Sequence, residues 1–384
     1  MKVVIPKETA EYEKRIAATA ETVKKMAAAG MQVWVQAGAG EASSISDSDF
    51  TQAGAKVEAG AKALYAGAAM VLRVQRPDPS KELPLIPQGA CLIGLLQPLI
   101  DPAFAELLAE KKITSLSMDM IPRIARAQRL DALSSQSNIA GYKAVLMAAN
   151  ALTKMMPLMM TAAGTVSPAK VLVLGAGVAG LQAIATARRL GAVVEAFDTR
   201  PVVKEQVESL GGRFLSLDLA SSEAEDKGGY AKELSKEQHE REMELIARHV
   251  ETSDIVITTA QIPGKKSQLL IREESVKKLK FGSIIVDLAV EGGGNCEAAV
   301  PGEDVVKHGV RIIGHYNVPS LMAAQASQLY ARNISGLLLD IVKEGRLRLN
   351  LEDEIIRGAL ITHEGRVVHP VLGERVKAKG AAQA

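Results

Sequence analysis

Three glycines and one aspartate carry the clearest chemistry in the sequence. In VLVLGAGVAGLQAIATARRLGAVVEAFDTR, Gly175, Gly177 and Gly180 keep the G-x-G-x-x-G spacing, and Asp198 closes the stretch. The spacing alone is weak evidence where glycine is common. Its context strengthens it: an apolar strand, Val171–Leu174, precedes the glycines, a helical run, Leu181–Leu190, follows, and a second strand ends at Asp198. In such a βαβ unit Gly175 permits the tight turn, Gly177 lets the backbone approach a pyrophosphate, and Gly180 lets helix and strand pack closely. The phosphates then sit against the helix start at Val178 and Ala179, where unpaired N–H groups and the helix dipole attract anions. Asp198 accepts hydrogen bonds from both ribose hydroxyls and repels a 2′-phosphate, which favours NAD(H) over NADP(H). Thr199 and Arg200 follow directly, and the cation at Arg200 works against that preference.

A second stretch, PRIARAQRLDALSSQSNIAGY, concentrates Arg123, Arg126, Gln128, Arg129, Asp131, Ser134, Ser135, Gln136, Ser137 and Asn138 ahead of a helical segment. Two readings stand side by side: a site lining a cleft between domains, or a solvated loop with Ser134 or Ser135 as the helix N-cap. Two more clusters, TTAQIPGK with Ala260 and Gln261, and DLAVEGGGNCE, follow strands, where ligands bind in open parallel sheets. The segment with Gly229 and Tyr230, flanked by charges, has the composition of a surface loop or a lid. No histidine precedes His239, so the polar stretch has no imidazole base of the kind alcohol and hydroxy-acid dehydrogenases use to move a proton. His315 reads more readily as structural than as catalytic.

The elements that must position these groups follow an α/β pattern. Strand candidates at Lys2–Ile5, Val33–Gln36, Met70–Val74, Ala90–Leu96 and Ile113–Met118 alternate with helical segments such as Ala10–Ala29 and Pro102–Lys111. A second series begins at Lys170–Leu174 and continues through Val193–Phe197, Arg213–Leu217, Asp254–Thr259, Ser283–Leu288 and Val310–Gly314. Ser134–Met160 reads as one or two connecting helices, Leu321–Val342 as a helix, and Ile355–Val368 as a strand-like end before a disordered tail. With 384 residues, two domains are expected. The expected fold is two Rossmann-like doubly wound α/β domains with mainly parallel sheets and a cleft between them. The first is discontinuous, residues 1–133 plus 320–384, and the second, residues 134–319, binds the nucleotide.

A net charge of +2 gives no footprint for nucleic acid. The two cysteines have no metal-ligand spacing, so no metal is expected, and they fit a reducing compartment. The most apolar stretch, Ala144–Gly164, is interrupted by Asn150, Lys154 and Pro157, whereas a membrane span needs roughly 20 nearly unbroken apolar residues. It reads as a buried helix.

The blocks quoted above, together with MKVVIPKE, EYEKRIAAT, QAGAGE and MMTAAGTVSPAK, resemble the NAD(H)-binding soluble component of proton-translocating nicotinamide nucleotide transhydrogenase. Alanine dehydrogenases are similar more distantly. The resemblance implies an enzyme that binds NAD(H) and passes hydride directly to NADP(H) held by a partner component. That transfer is coupled to proton movement through a membrane component. It further implies a homodimer, cytoplasmic and peripheral on the inner membrane through its partners. Arg123 is implied to contact the nicotinamide, Gln128 to reach the partner's nucleotide, and Asp131 and Ser134 to orient the carboxamide. The loop with Gly229 and Tyr230 is implied to close over the cofactor, with Ala260 and Gln261 contacting it. The family has an aliphatic residue at position 261, so Gln261 is a departure. The physics is compatible: transfer between two nicotinamide rings makes no alkoxide and needs no general acid or base, only rings held face to face without water.

Alanine dehydrogenases carry a lysine and a histidine for imine chemistry, and the corresponding positions here are Gln75 and Gln97, with Arg15 retained. Without those proton-handling groups, amino-acid dehydrogenation is disfavoured. A third possibility, a non-catalytic NAD-sensing module, is disfavoured by Arg123, Gln128 and Asp131, which a sensor does not need.

Overall fold

The computed structural model describes residues 1–216, 236–262 and 264–373. The chain divides into two compact units, Met1–Gln136 with Pro319–Ala384, and Ser137–Val318.

In the second unit, short runs of β-branched and aliphatic residues form a seven-stranded sheet. Its order is Arg213–Leu215, Val193–Phe197, Lys170–Leu174, Ile255–Thr258, Ile284–Asp287, Val310–Ile313 and Asp304–Lys307. All pairs are parallel except the last, Asp304–Lys307 against Val310–Ile313. Ile255–Thr258 and Ile284–Asp287 are buried along their whole length, which explains why they read as continuous apolar runs rather than alternating ones. The strand order reverses beside Lys170–Leu174, so the carboxyl end of that strand is the topological switch point at which open sheets of this kind bind ligands.

The first unit holds an eight-stranded sheet in the order Arg366–Val367, Leu360–His363, Thr114–Ser117, Cys91–Leu95, Met70–Gln75, Lys2–Ile5, Gln32–Gln36 and Lys56–Glu58. Six strands run parallel, and the last hairpin adds two antiparallel ones against Thr114–Ser117. The helix Ala323–Ile341 packs on one face through Ala326, Tyr330, Ile334, Leu337, Leu338 and Ile341.

Several elements differ from the sequence reading. The helix expected at Ala10–Ala29 spans only Ala20–Ala28 and starts at a capping box in which Thr19 and Thr22 bond each other's backbone N–H. The residues before it are irregular because the Glu13 carboxylate takes the Arg15 guanidinium and the Arg15 N–H. The buried helix expected over Ala144–Gly164 stops at Ala151, and the chain forms a small hairpin, Met159–Thr161 with Gly164–Val166, turning at Gly164 with φ +121°. The strand-like end resolves into a one-and-a-half-turn helix, Glu354–Ala359, before the hairpin. Two edge strands, Lys56–Glu58 and Asp304–Lys307, were not expected. The strand expected at Arg213–Leu217 ends at Leu215, and residue 217, like Gly229, Tyr230 and the tail after Gly373, lies outside the described residues.

Both cysteines are buried, and burial pushes each thiol up to about 12. Among the described residues no helix is long and apolar enough to cross a membrane, and no cluster of His, Cys, Asp and Glu is arranged to hold a metal ion.

Candidate functional site

At the carboxyl end of Lys170–Leu174 the chain turns at Gly175, whose φ of +95° lies in the left-handed region. The Gly175 N–H donates to Phe197 O at 2.8 Å, and its carbonyl accepts the Thr259 hydroxyl at 3.0 Å. A side chain here would meet Thr259 Oγ1 at 2.7 Å, so space as well as dihedral demands glycine. Gly180 is required by contact alone: a Cβ would lie 1.8 Å from the Gly175 carbonyl oxygen. Gly177 is different. Its φ of −75° suits any residue, and a Cβ there would have no neighbour within 4 Å. Nothing in the protein asks for glycine at 177, whereas a ligand approaching the backbone would.

Gly177 is also the N-cap of the helix Val178–Arg189, and no side chain caps that helix start. The N–H groups at Val178 and Ala179 therefore remain available to an anion. The turn is braced by Gly141 on the helix Ala132–Ala151, where a Cβ would come within 2.0 Å of the Ala179 carbonyl oxygen. This close approach of helix to helix start was not expected from the sequence, although the glycine was in plain view.

Asp198 ends the neighbouring strand and is nearly sealed. Its Oδ2 accepts the Ala176 N–H at 2.7 Å, and its Oδ1 accepts the Arg200 N–H at 2.9 Å. Arg200 Nε and Nη2 then bridge both oxygens, each at 2.9 Å. Thr199 lies between them, half-buried. On the next strand, Thr258 bonds Asp287, and the Asp287 carboxylate also collects the N–H groups of Ala289, Asn295 and Cys296. Buried Asn295 in turn takes the Ala260 N–H and donates to Ala260 O and Gln268 O. The DLAVEGGGNCE cluster thus acts as a frame that fixes Ala260 and leaves Gln261 exposed. Thr259 and Asn295 are the positions the sequence reading passed over, since neither carries a motif of its own.

In the first unit, residues Ala125–Leu130 form a 3-10 turn pinned by buried Ala127 and Leu130, with Arg123 and Gln128 exposed. The helix Ala323–Ile341 and its neighbours seat this turn. Asn333 Nδ2 donates to Arg129 O at 2.8 Å, Arg129 pairs with Asp340, and Arg126 pairs with Asp353 through two bonds of 2.8 and 2.9 Å. Gly336 lets Leu130 come close, since a Cβ there would meet it at 2.9 Å.

The helix Ala132–Ala151 is capped by Asp131, not by Ser134 or Ser135. The carboxylate accepts the Ser134 N–H at 2.9 Å and its hydroxyl at 2.6 Å, so Asp131 and Ser134 form one fixed pair. Ser135 and Gln136 serve the core instead: Ser135 donates to Asn333 Oδ1, and Gln136 joins Ala326 O to Arg15 Nη1. Asn138 donates to Gln182. The polar stretch therefore divides into exposed or paired residues, Arg123 to Ser134, and anchoring ones after them.

The same unit contains a cavity of about 340 Å³ lined by Glu11, Gln75, Arg76, Asp78, Glu82 and Gln97 among others, with no lysine or histidine in its lining. The Gln75 amide donates to Glu13 Oε2 at 2.9 Å. Burial alone would raise the Glu13 carboxyl, but the hydrogen bonds and charge of Arg15 outweigh it and hold the group at about 2. Gln97 sits at φ +51°, a left-handed conformation uncommon outside glycine. Beneath the cavity, buried Arg73 pairs with Glu8 and Glu82, and its carbonyl accepts the Tyr330 hydroxyl at 2.7 Å.

Residues 4–140 match the alanine dehydrogenase/PNT N-terminal domain, and residues 144–370 match the alanine dehydrogenase/PNT C-terminal domain. The first portion of the NAD(P) transhydrogenase subunit alpha of Rhodospirillum rubrum, a separate polypeptide, is 50% identical over 379 residues, covering 97% of this chain and 99% of that protein. The crystal structure of transhydrogenase from Sinorhizobium meliloti superposes with a TM-score of 0.87 at 44% identity, covering 96% of this chain and 100% of that one. An L-alanine dehydrogenase superposes with a TM-score of 0.82 at 26% identity, covering 98% and 99%. Turn, sheets and both domain matches agree: the chain belongs to the alanine dehydrogenase/PNT family, on its NAD(P) transhydrogenase subunit alpha branch.

Proposed function

We propose that the chain is the NAD(H)-binding component of a proton-translocating transhydrogenase. Bound NADH supplies a hydride for direct transfer to NADP⁺ held by a partner component, and a membrane component couples that transfer to proton movement. The observation that carries the reading is Gln75. An imine-forming dehydrogenase has lysine at that position, whereas here a neutral amide is bound to Glu13 and the cavity lining offers neither lysine nor histidine. A reaction that moves hydride between two nicotinamides does not need either.

In this reading the N–H groups at Val178 and Ala179 bind the pyrophosphate over the open space at Gly177, and Asp198 reads the adenosine ribose. Ala260 and Gln261 contact the nucleotide from the frame built by Asn295. The Asp131–Ser134 pair, already fixed by two hydrogen bonds, orients the carboxamide, and Arg123 contacts the nicotinamide ring. Exposed Gln128 meets the partner's nucleotide, and Gly229 and Tyr230 close over the site. Residues 134–319 bind NAD(H), and residues 1–133 with 320–384 supply the transfer residues. The working assembly is a homodimer docked through partners on the cytoplasmic face of the inner membrane.

The test mixes the pure chain with a transhydrogenase NADP(H)-binding component and follows hydride exchange between NADH and an NADP analogue. Exchange is expected, and Gln128→Asn should slow it far more than it weakens NADH binding. Binding without exchange would sink the proposal, and turnover of pyruvate, ammonia and NADH by the chain alone would replace it with alanine dehydrogenase activity.

A further inference from the structure

The Asp198 carboxylate has about four lone-pair sites, and all four are filled from within the chain. Two are taken by backbone N–H groups, from Ala176 in the glycine turn and from Arg200 two residues after Asp198. Those two cannot leave without undoing the turn. The other two are taken by Arg200 Nε and Nη2, on a side chain with rotatable bonds and some access to solvent, 14% against 6% for Asp198. A ribose diol that is to bond Asp198 needs two acceptor sites, and the guanidinium is the only occupant able to give them up.

We propose that Arg200 sets nucleotide selectivity by competing with the adenosine ribose for Asp198. The inference rests on the NAD(H) reading of the glycine turn and deepens it. An incoming NAD ribose exchanges its two hydroxyls for the two guanidinium bonds, so its gain is the difference between two sets of charge-assisted hydrogen bonds rather than a full new set. The same exchange leaves a guanidinium beside the ribose, in reach of a phosphate carried at its 2′ position. A bare carboxylate would repel that phosphate; the Asp198–Arg200 pair presents no net charge to it. The pair therefore weakens NAD(H) binding and softens the rejection of NADP(H).

The surroundings give Arg200 a second reason to stay near. Glu242, on the helix Lys236–Val250, is buried and lies close enough to Asp198 to feel its charge. Burial holds the Glu242 carboxyl above its usual range, hydrogen bonds and charge from His239 work against that, and the charge of Asp198 adds to it. His239 and Gln268 are its hydrogen-bond partners, at 3.1 and 3.4 Å. Arg200 is thus the countercharge on the Asp198 side of this carboxylate pair. That is why the test includes Arg200→Lys, which keeps a cation but cannot bridge both oxygens as a planar fork.

The experiment measures the binding of NADH and NADPH separately to the full-length chain, by the change in dihydronicotinamide fluorescence and by calorimetry, for the native protein, Arg200→Ala and Arg200→Lys. Thermal melting is recorded for each to confirm folding. Arg200→Ala should bind NADH roughly fivefold more tightly and NADPH roughly tenfold more weakly. Arg200→Lys should tighten NADH while keeping part of the NADPH binding. Parallel weakening of both nucleotides in Arg200→Ala would overturn the proposal, since it would make Arg200 a general phosphate anchor. An unchanged ratio of the two affinities would overturn it as well. Failure of the native protein to bind either nucleotide would instead remove the NAD(H) reading beneath it.

Discussion

Gly177→Ala separates a glycine kept for a ligand from a glycine kept for the fold. At φ −75° and ψ −169°, alanine adopts the native backbone without strain, and its methyl would touch nothing within 4 Å. Two small effects on stability oppose each other. Alanine narrows the unfolded ensemble, worth about 0.4–1 kcal/mol, and is a poorer N-cap than glycine by a similar amount. The melting temperature should therefore stay within about 2 °C of the native value. Binding should respond differently. The methyl fills the space through which a pyrophosphate must approach the helix start, and each charge-assisted hydrogen bond lost is worth roughly 1.5–3 kcal/mol. Losing one weakens NADH between about tenfold and about 150-fold. Gly180→Ala is the contrast. Its methyl would begin 1.8 Å from the Gly175 carbonyl oxygen, and ordinary contact begins near 3.4 Å, so helix and strand must part by roughly 1.6 Å. That overpacking costs about 1–3 kcal/mol or more and lowers the melting temperature by several degrees. The assay is NADH titration and differential scanning calorimetry on both variants. If Gly177→Ala melts as low as Gly180→Ala, or binds NADH as the native chain does, the assignment of that space to a nucleotide is wrong.

Three further outcomes are expected. Gly141→Ala should lower the melting temperature and weaken NADH together, since its methyl would press on the Ala179 carbonyl at 2.0 Å and move the helix start; calorimetry with NADH titration checks both, and an effect on one alone contradicts it. Asn333→Ala removes the donor to Arg129 O and the acceptor for Ser135, so hydride exchange should fall while NADH affinity holds within about twofold; single-turnover exchange with the partner component reads the difference, and equal losses would deny that Asn333 positions the Gln128 turn. Glu13 is depressed in the folded chain to about 2, so the stability it contributes is fully present above its ordinary value near 4.5 and is lost as pH falls from there through about 2. That contribution is of order 3 kcal/mol. Urea titrations over that range should show the loss in the native chain and a flatter profile in Glu13→Gln.

The elements that read correctly were those whose sequence carries its own reason. Lys170–Leu174 and Ile284–Asp287 are buried runs of aliphatic residues flanked by turn formers, and parallel pairing on both sides requires nothing more. Edge strands do not announce themselves in this way. Lys56–Glu58 and Asp304–Lys307 are short and half exposed, and their pairing is decided by the neighbour that offers free N–H groups. The residues from 10 to 19 look helical because Ala and Glu favour helices, but a long-range ion network overrides that propensity, through Gln75 and Ser320 on Glu13 and Gln136 on Arg15. The methionine-rich run after Ala151 misled for a similar reason, its apolar content belonging to a hairpin rather than a buried helix.

At the candidate site, the glycines were legible because each answers a local geometric demand. The bidentate Arg200–Asp198 contact was legible only as proximity, since rotamers decide whether the two side chains meet. Asn333 was invisible: nothing local distinguishes an asparagine in mid-helix that will hold a turn some two hundred residues earlier.

The burial of Cys91 and Cys296 also has a practical consequence. With both thiols protonated at neutral pH and closed to solvent, neither sulfur offers a thiolate to a maleimide or an iodoacetamide. The native chain thus behaves as its own cysteine-free background, although it contains two cysteines. One engineered surface cysteine in either unit would take a single fluorophore or spin label without further mutation. A pair of them, one per unit, would turn nucleotide binding into a measurable distance.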